Sequence, residues 1–194
     1  MIRSRALTKG RPPLASRPAL LLRCQVVFGI LRVDCMHAGQ WRPREVGVEY
    51  LITPVTVVQR PTAVLAATTT WQEFPELWRR LLDEVHAGVH WGGDGRKGRN
   101  VMLYKDDVPH VEVGVELDQP AQIDGRVIRS ALPAGEVAMT VHRGPYEALG
   151  SAHDAVLRWC AAQGLDPAGP HWEIYGHWHD DPAQLETEVY YLLR

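Results

Sequence analysis

Cysteine is scarce in this sequence. Cys24, Cys35 and Cys160 are the three cysteines among 194 residues, and no C-x-x-C pair occurs. Three widely spaced cysteines exclude the disulfide framework of small secreted domains, and the missing C-x-x-C spacing excludes the common structural zinc sites. A reducing, cytoplasmic location is therefore expected.

Long apolar runs are also missing. The most apolar stretch, ALLLRCQVVFGILRV, is interrupted by Arg23 and Arg32, which makes it too short and too charged to span a bilayer. It also lacks the clean apolar run and small-residue cleavage site of a secretory signal. No membrane partner is expected.

Motifs for covalent, phosphate or metal chemistry are lacking as well. There is no Gly-x-Ser-x-Gly nucleophile pattern, and Cys160 lies within a helical pattern typical of a core position. The glycine-rich GGDGRKG lacks the G-x-x-x-x-G-K-[ST] spacing of a phosphate-binding loop. His177, His179 and the Asp180-Asp181-Pro182 turn contain metal-ligand residue types, but Asp-Pro sequences more often form solvated turns. The sequence predicts neither a metal site nor a cofactor.

Charge is divided unevenly along the chain. Residues 1–45 contain nine lysines and arginines against two acids, and residues 46–194 contain 12 against 21. The basic, aperiodic segment 1–46 is expected to be disordered, or upstream sequence wrongly assigned to the protein, with the true start near Met36 or Val46. Residues 47–194 are expected to form one domain. Its acidic balance argues against direct DNA binding, which needs clustered lysine and arginine.

An internal repeat predicts the architecture. PTAVLAATTTWQEFPEL and PAGEVAMTVHRGPYEAL align at an offset of 72 residues, which places Phe74 on Tyr146. Each copy continues into two further strand patterns joined by a turn containing Asp-Asp. The unit is therefore β-α-β-β, present twice, and the fold class is α+β with an antiparallel sheet.

One face of this sheet is expected to carry the two helices and the other a ligand cleft. Val111, Val113 and Val115 alternate with polar residues, as in a strand with one face on the core. The Gly144-Pro145 turn is expected to place Tyr146 at the rim of the cleft. The residues assigned to the helix-free face are Glu173, Tyr175, His177, Glu186, Glu188 and Tyr190.

These motifs together resemble a known family. LPAGEVAMTVHRGPYEALG, GLDPAGPHWEIYGHWHDDP and ETEVYYLL are similar, in order and spacing, to the GyrI-like small-molecule-binding domain, also called the AraC-type effector-binding domain. The resemblance covers about residues 48–194 and implies a cleft for amphipathic, cationic or aromatic compounds. It implies that Glu188 is the carboxylate at the base of that cleft, with Tyr175 and Tyr146 as flanking rings. The alternative for Glu188 is a strand residue in solvent or a partner of a nearby arginine.

The function expected from the sequence is a stand-alone sensor or sequesterer of a small molecule. No helix-turn-helix pattern precedes the domain. Two alternatives remain open: a hydrolase of reactive small molecules with Glu188 as general base and Tyr146 or Tyr175 in support, or an inhibitor that binds gyrase or another protein. A homodimer formed through a sheet edge is also considered. The candidate ligand-binding residues are Glu188, Tyr175, Tyr146, Glu173, Tyr190, Trp178 and Phe74.

Overall fold

A computed structural model describes residues 49–93 and 96–194. The extension predicted for residues 1–46 lies outside them. The elements in chain order are β1 (Thr53–Val57), β2 (Arg60–Thr68), α1 (Phe74–Gly88), β3 (Val89–Trp91), β4 (Asn100–Tyr104), β5 (His110–Glu116), β6 (Ala121–Ile123), β7 (Ile128–Leu132), β8 (Gly135–Arg143), α2 (Gly150–Gln163), β9 (Pro167–Tyr175) and β10 (Glu186–Leu193).

The main sheet has eight antiparallel strands in the order β1-β8-β10-β9-β4-β5-β2-β7, and β3 pairs with β6 separately. Outward from the β4–β9 boundary, each half has the same sequence of strands: β4-β5-β2-β7 on one side and β9-β10-β8-β1 on the other. This order confirms the predicted α+β class and the duplicated β-α-β-β unit.

The helices begin later than their sequence signals predict. Thr70 Oγ1 accepts a hydrogen bond from the Glu73 amide at 3.3 Å, but this bond closes a turn before α1. In the second copy a short 3₁₀ turn over Tyr146–Ala148 precedes α2. Gly164 ends α2 as predicted, in the left-handed conformation with φ of 67°, which glycine adopts without steric cost.

Both helices pack on the same face of the sheet, here called the helix face. α1 covers Ala63, Leu65 and Val113, while α2 covers Ala138 and Val189. The alternation in β5 predicted this correctly for Val111, Val113 and Val115, which are buried with exposed fractions of 1% or less.

The opposite face is filled with its own core instead of forming a cleft. β7 lies at one edge of the sheet and β8 next to the other edge, yet only two residues separate Leu132 from Gly135. The sheet must therefore curve strongly, which brings Leu132 and Val137 into one cluster with Trp172. The indole of Trp172 stacks on Tyr190 with ring centroids 5.3 Å apart. Curvature thus buries apolar side chains on this face too, and the cleft described below opens on the helix face.

Among the helices of the described residues, none combines the length and apolar character that crossing a membrane requires.

Candidate ligand cleft

A cleft of about 320 Å³ opens on the helix face, between α1, the turn before α2 and the β4–β9 boundary. Aromatic rings make up much of its wall. α1 contributes the rings of Phe74 and Trp78 and the side chain of Leu82, which recur at helical spacing. The lining residues on which the argument depends are Trp71, Phe74, Trp78, Met102, Tyr104, Tyr146, Glu173, Tyr175 and Trp178.

Glu173 is the charged group of this wall. It is 4% exposed. One of its carboxylate oxygens lies 2.8 Å from His153 Nε2, and the other accepts a hydrogen bond from the Tyr175 hydroxyl. Burial alone would raise the pKa of Glu173, but the hydrogen bond and charge of His153 and the bond from Tyr175 together lower it below its ordinary value. The cleft therefore holds an ionised carboxylate at neutral pH.

A stack of rings surrounds this carboxylate. His171 lies between Tyr104 and Tyr191, with ring centroids 4.8 Å away on each side and interplanar angles below 10°. Burial lowers the pKa of His171 and raises the pKa of Tyr104 and of Tyr191. These rings are therefore neutral at pH 7, and Tyr104 of the stack lines the cleft.

Tyr146 reaches the cleft because the turn before it is held in place. Its ring meets Tyr175 edge to face at 5.4 Å. Gly144 has φ of 129°, and His142 Nε2 lies 3.1 Å from the Pro145 carbonyl oxygen. The Tyr50 hydroxyl lies 2.8 Å from His142 Nδ1. The contacts of His142, Gly144 and Pro145 within HRGPY thus hold the phenol ring of Tyr146 at the cleft.

Replacing Tyr50 by phenylalanine should lower the free energy of unfolding by about 1 kcal/mol, because it removes the hydroxyl that meets both His142 and Ser151. Urea denaturation of the full chain measures this change. An unchanged free energy would mean that the His142–Pro145 contact holds the turn without Tyr50.

Glu188 and Tyr190 lie on the opposite face, away from this cleft. Glu188 pairs across the strands with Ile174, while Val189 pairs with Glu173. Because side chains alternate between faces along a strand, Glu188 and Glu173 point to opposite sides of the sheet. The prediction that Glu173, Tyr175, Glu186, Glu188 and Tyr190 share one face is therefore wrong. β9 also ends at Tyr175, so His177 lies beyond the strand.

Glu188 has the partner that the alternative interpretation named, a nearby arginine. Arg99 Nη1 donates to one of its oxygens at 2.8 Å, and the Tyr190 hydroxyl donates to the other at 2.7 Å. Arg99 also bonds Glu116 at 2.7 Å, and Glu116 accepts from Arg60 at 3.1 Å. These five side chains form a paired network, in which each carboxylate oxygen of Glu188 accepts one hydrogen bond. Burial and the Glu188 bond raise the pKa of Tyr190 to about 12.

Five of the seven candidate ligand-binding residues therefore meet in one cleft: Phe74, Tyr146, Glu173, Tyr175 and Trp178. The sequence interpretation missed Trp71, Trp78 and Tyr104, which line the cleft, and His153, which bonds its carboxylate. The spacing of Trp71, Phe74 and Trp78 could have indicated that Trp71 and Trp78 line the cleft. The same spacing is equally typical of a helix face that packs on the core.

The turn rich in histidine and aspartate, residues 177–182, is held by hydrogen bonds among its own residues. His179 Nδ1 accepts from the Asp181 amide at 3.0 Å, and Trp178 donates to Asp180 at 3.3 Å. Within the residues that the structure describes, no three His, Cys, Asp or Glu side chains are grouped so that they could hold a metal ion.

The described part of the chain thus combines a curved antiparallel sheet, two helices and an aromatic cleft around one carboxylate. Residues 105–194 match the family model described as the GyrI-like small molecule binding domain. This match confirms the family resemblance seen in the sequence over residues 105–194. No protein of curated function matches the chain in sequence.

Solved structures share the fold. The cryo-EM structure of an EcmrR–DNA complex aligns with a TM-score of 0.58 and 18% identity, over 75% of this chain and 57% of that one. This chain thus spans little more than half of that protein. The EcmrR C-terminal domain aligns at 0.53 and 15%, over 75% and 98% of the two chains. SAV2435 bound to tetraphenylphosphonium aligns at 0.53 and 11%, over 76% and 94%.

Proposed function

We propose that the protein binds amphipathic small molecules that combine an aromatic or apolar body with a positive charge, and acts as their sensor or sequesterer. The observation that carries this proposal is the single ionised carboxylate of Glu173 in a wall of aromatic rings. A cytoplasmic location without direct DNA contact is part of the proposal.

The chemistry of the wall favours a cation of low hydration. Aromatic faces attract a cation by about 0.5–2 kcal/mol, and the buried carboxylate supplies the opposite charge. The rings of Trp71, Trp78 and Tyr146 offer apolar contact for the rest of the ligand. SAV2435, which shares the fold, has been solved with the lipophilic cation tetraphenylphosphonium bound, and this supports the same class of ligand here.

Two probes of equal shape and different charge test the proposal. Phenyltrimethylammonium and its neutral isostere tert-butylbenzene would each be titrated into the full chain at about pH 8, followed by tryptophan fluorescence, since three tryptophans line the cleft. We expect saturable binding of both, with the cation bound at least about tenfold more tightly, or ~1.4 kcal/mol. Equal affinities would contradict the role of charge, and saturation by neither probe would contradict the proposed function.

The hydrolase alternative requires that Glu188 act as a general base. A general base must lie within hydrogen-bond reach of the proton that it abstracts, and Glu188 is ion-paired with Arg99 and hydrogen-bonded by Tyr190 on the face opposite the cleft. Chromatography after incubation with a small epoxide would reveal turnover. Turnover that is lost in Glu188→Gln would support the enzyme instead of the binding domain.

A further inference from the structure

The carboxylate at the base of the cleft is paired with a histidine that can itself be charged. His153 extends from α2 and places Nε2 2.8 Å from Glu173 Oε1, and the two side chains are 16% and 6% exposed. Its other nitrogen, Nδ1, lies 2.9 Å from the Tyr191 hydroxyl. Both ring nitrogens of His153 thus have a partner inside the protein.

These partners fit His153 in either protonation state. A tyrosine hydroxyl can donate to a neutral Nδ1 or accept from a protonated one, while Nε2–H donates to the carboxylate in both cases. Both ring nitrogens of His153 therefore keep a hydrogen-bonding partner whether or not the ring is protonated. The site can hold or release a proton without rearranging.

The two states present opposite environments to a ligand. With a protonated His153 the pair has no net charge, and a cation entering the cleft meets a carboxylate already neutralised. With a neutral His153 the pair has one negative charge. Close charges in a partly buried site interact more strongly than in water, so this difference can decide between a cationic and a neutral ligand.

We propose that His153 is the specificity-determining residue of the cleft: it holds a proton against Glu173 that a cationic ligand displaces, so that one cation bound releases one proton. This inference rests on the proposed function of the cleft. In the exchange, the proton leaves His153 for water, the ligand cation takes its place beside the carboxylate, and the net charge of the site is the same before and after.

The tyrosines and His171 around the His153–Glu173 pair are neutral near pH 7, so His153 is the group expected to release the proton. Burial raises the pKa of the surrounding tyrosines, most strongly for Tyr175 and Tyr104. It lowers the pKa of His171, so these side chains are neutral near pH 7. The titratable and charged groups that face or act on the pair are His171 and Tyr175 of β9, Tyr104 of β4, Tyr191 of β10, Asp154 of α2, Tyr146 before α2 and Asp107 of the β4–β5 turn.

The test is the pH dependence of binding of phenyltrimethylammonium and tert-butylbenzene by the full chain. Histidine side chains change charge between about pH 5 and 8, so titrations would run from about pH 5.5 to 8.5. We expect the affinity for the cation to rise at least about tenfold over this range, while the affinity for the neutral isostere stays constant. Calorimetry at about pH 6 in buffers of different ionisation enthalpy should show close to one proton released per cation.

Variants separate His153 from other titrating groups. In His153→Gln the amide can still donate to Glu173 but holds no proton, so the affinity for the cation should be independent of pH. His90→Gln is the matched control, because His90 is 55% exposed and pairs with Asp124 outside the cleft. It should retain the wild-type pH dependence. The proton count uses the wild-type chain, so it decides even where His153→Gln does not fold.

Cation binding that is independent of pH, with no proton released, would overturn the role of His153 and leave the proposed function intact. A parallel change for both probes would also overturn it, because that would indicate a change of shape instead of charge. Binding of neither probe at any pH would contradict the proposed function itself, and this inference with it.

Discussion

Glu173→Gln should weaken the binding of phenyltrimethylammonium at least about thirtyfold, or ~2 kcal/mol. The substitution keeps the size of the side chain and removes the charge that faces the ligand. Removing one member of a buried charge pair typically costs about 2–5 kcal/mol, and Glu173 is 4% exposed. Fluorescence titration at about pH 8 measures the loss.

Glu188→Gln is the matched control for this prediction. It makes the same chemical change one strand away, on the opposite face of the sheet, where Glu188 pairs with Ile174. The affinity of Glu188→Gln for the cation should match that of the wild type, and tert-butylbenzene should bind all three proteins alike. A loss in Glu188→Gln with full affinity in Glu173→Gln would place the ligand on the opposite face.

Trp172→Ala should lower the free energy of unfolding by about 3–5 kcal/mol, which is the usual cost of removing a large buried aromatic side chain. Trp172 is 2% exposed and stacks on Tyr190. It fills the space that the curved sheet encloses together with Leu132 and Val137. Urea denaturation, with tryptophan-independent circular dichroism as the signal, measures the change.

Trp178→Ala tests whether burial explains this loss. Trp178 is 73% exposed and lines the cleft, so its removal should change stability by no more than about 0.5 kcal/mol. A loss below about 1 kcal/mol in Trp172→Ala would contradict a closed core on the opposite face.

The sequence predicted the repeat, the two helices and most of the cleft residues, because each of these depends on local patterns. Phe74 and Tyr146, which the offset of 72 residues aligns, both lie in the wall of the cleft. The strand alternation in β5 placed Val111, Val113 and Val115 on the helix face correctly, although Glu112 and Glu116 on the other face are buried too.

The face of β9 and β10 could not be predicted in the same way. Alternation indicates a buried face only where the other face is polar and solvated, and here curvature buries both. In WEIY, Trp172 and Ile174 fill the opposite face while Glu173 and Tyr175 reach the cleft. Both sets are buried, so either assignment fits the pattern.

The partner of Glu188 was also beyond a local interpretation. Arg99 lies 89 residues earlier in the chain, directly before β4. The pairing of β4 with β9, and of β9 with β10, brings it near Glu188. His153 similarly lies on α2, at a position that helical spacing assigns to the core. Contacts between distant segments depend on strand order and register, which periodicity does not determine.

The boundary between the two copies of the repeat also gives the cleft a direction. Met102 of β4 and Glu173 of β9 are paired opposite each other across it, at the place where two identical copies would present identical side chains. One copy supplies a soft thioether and the other a carboxylate. An elongated amphipathic ligand that binds in this nearly symmetric cleft should therefore adopt one orientation. Its charged group should lie towards the second copy, and its apolar part should lie along the tryptophans of the first.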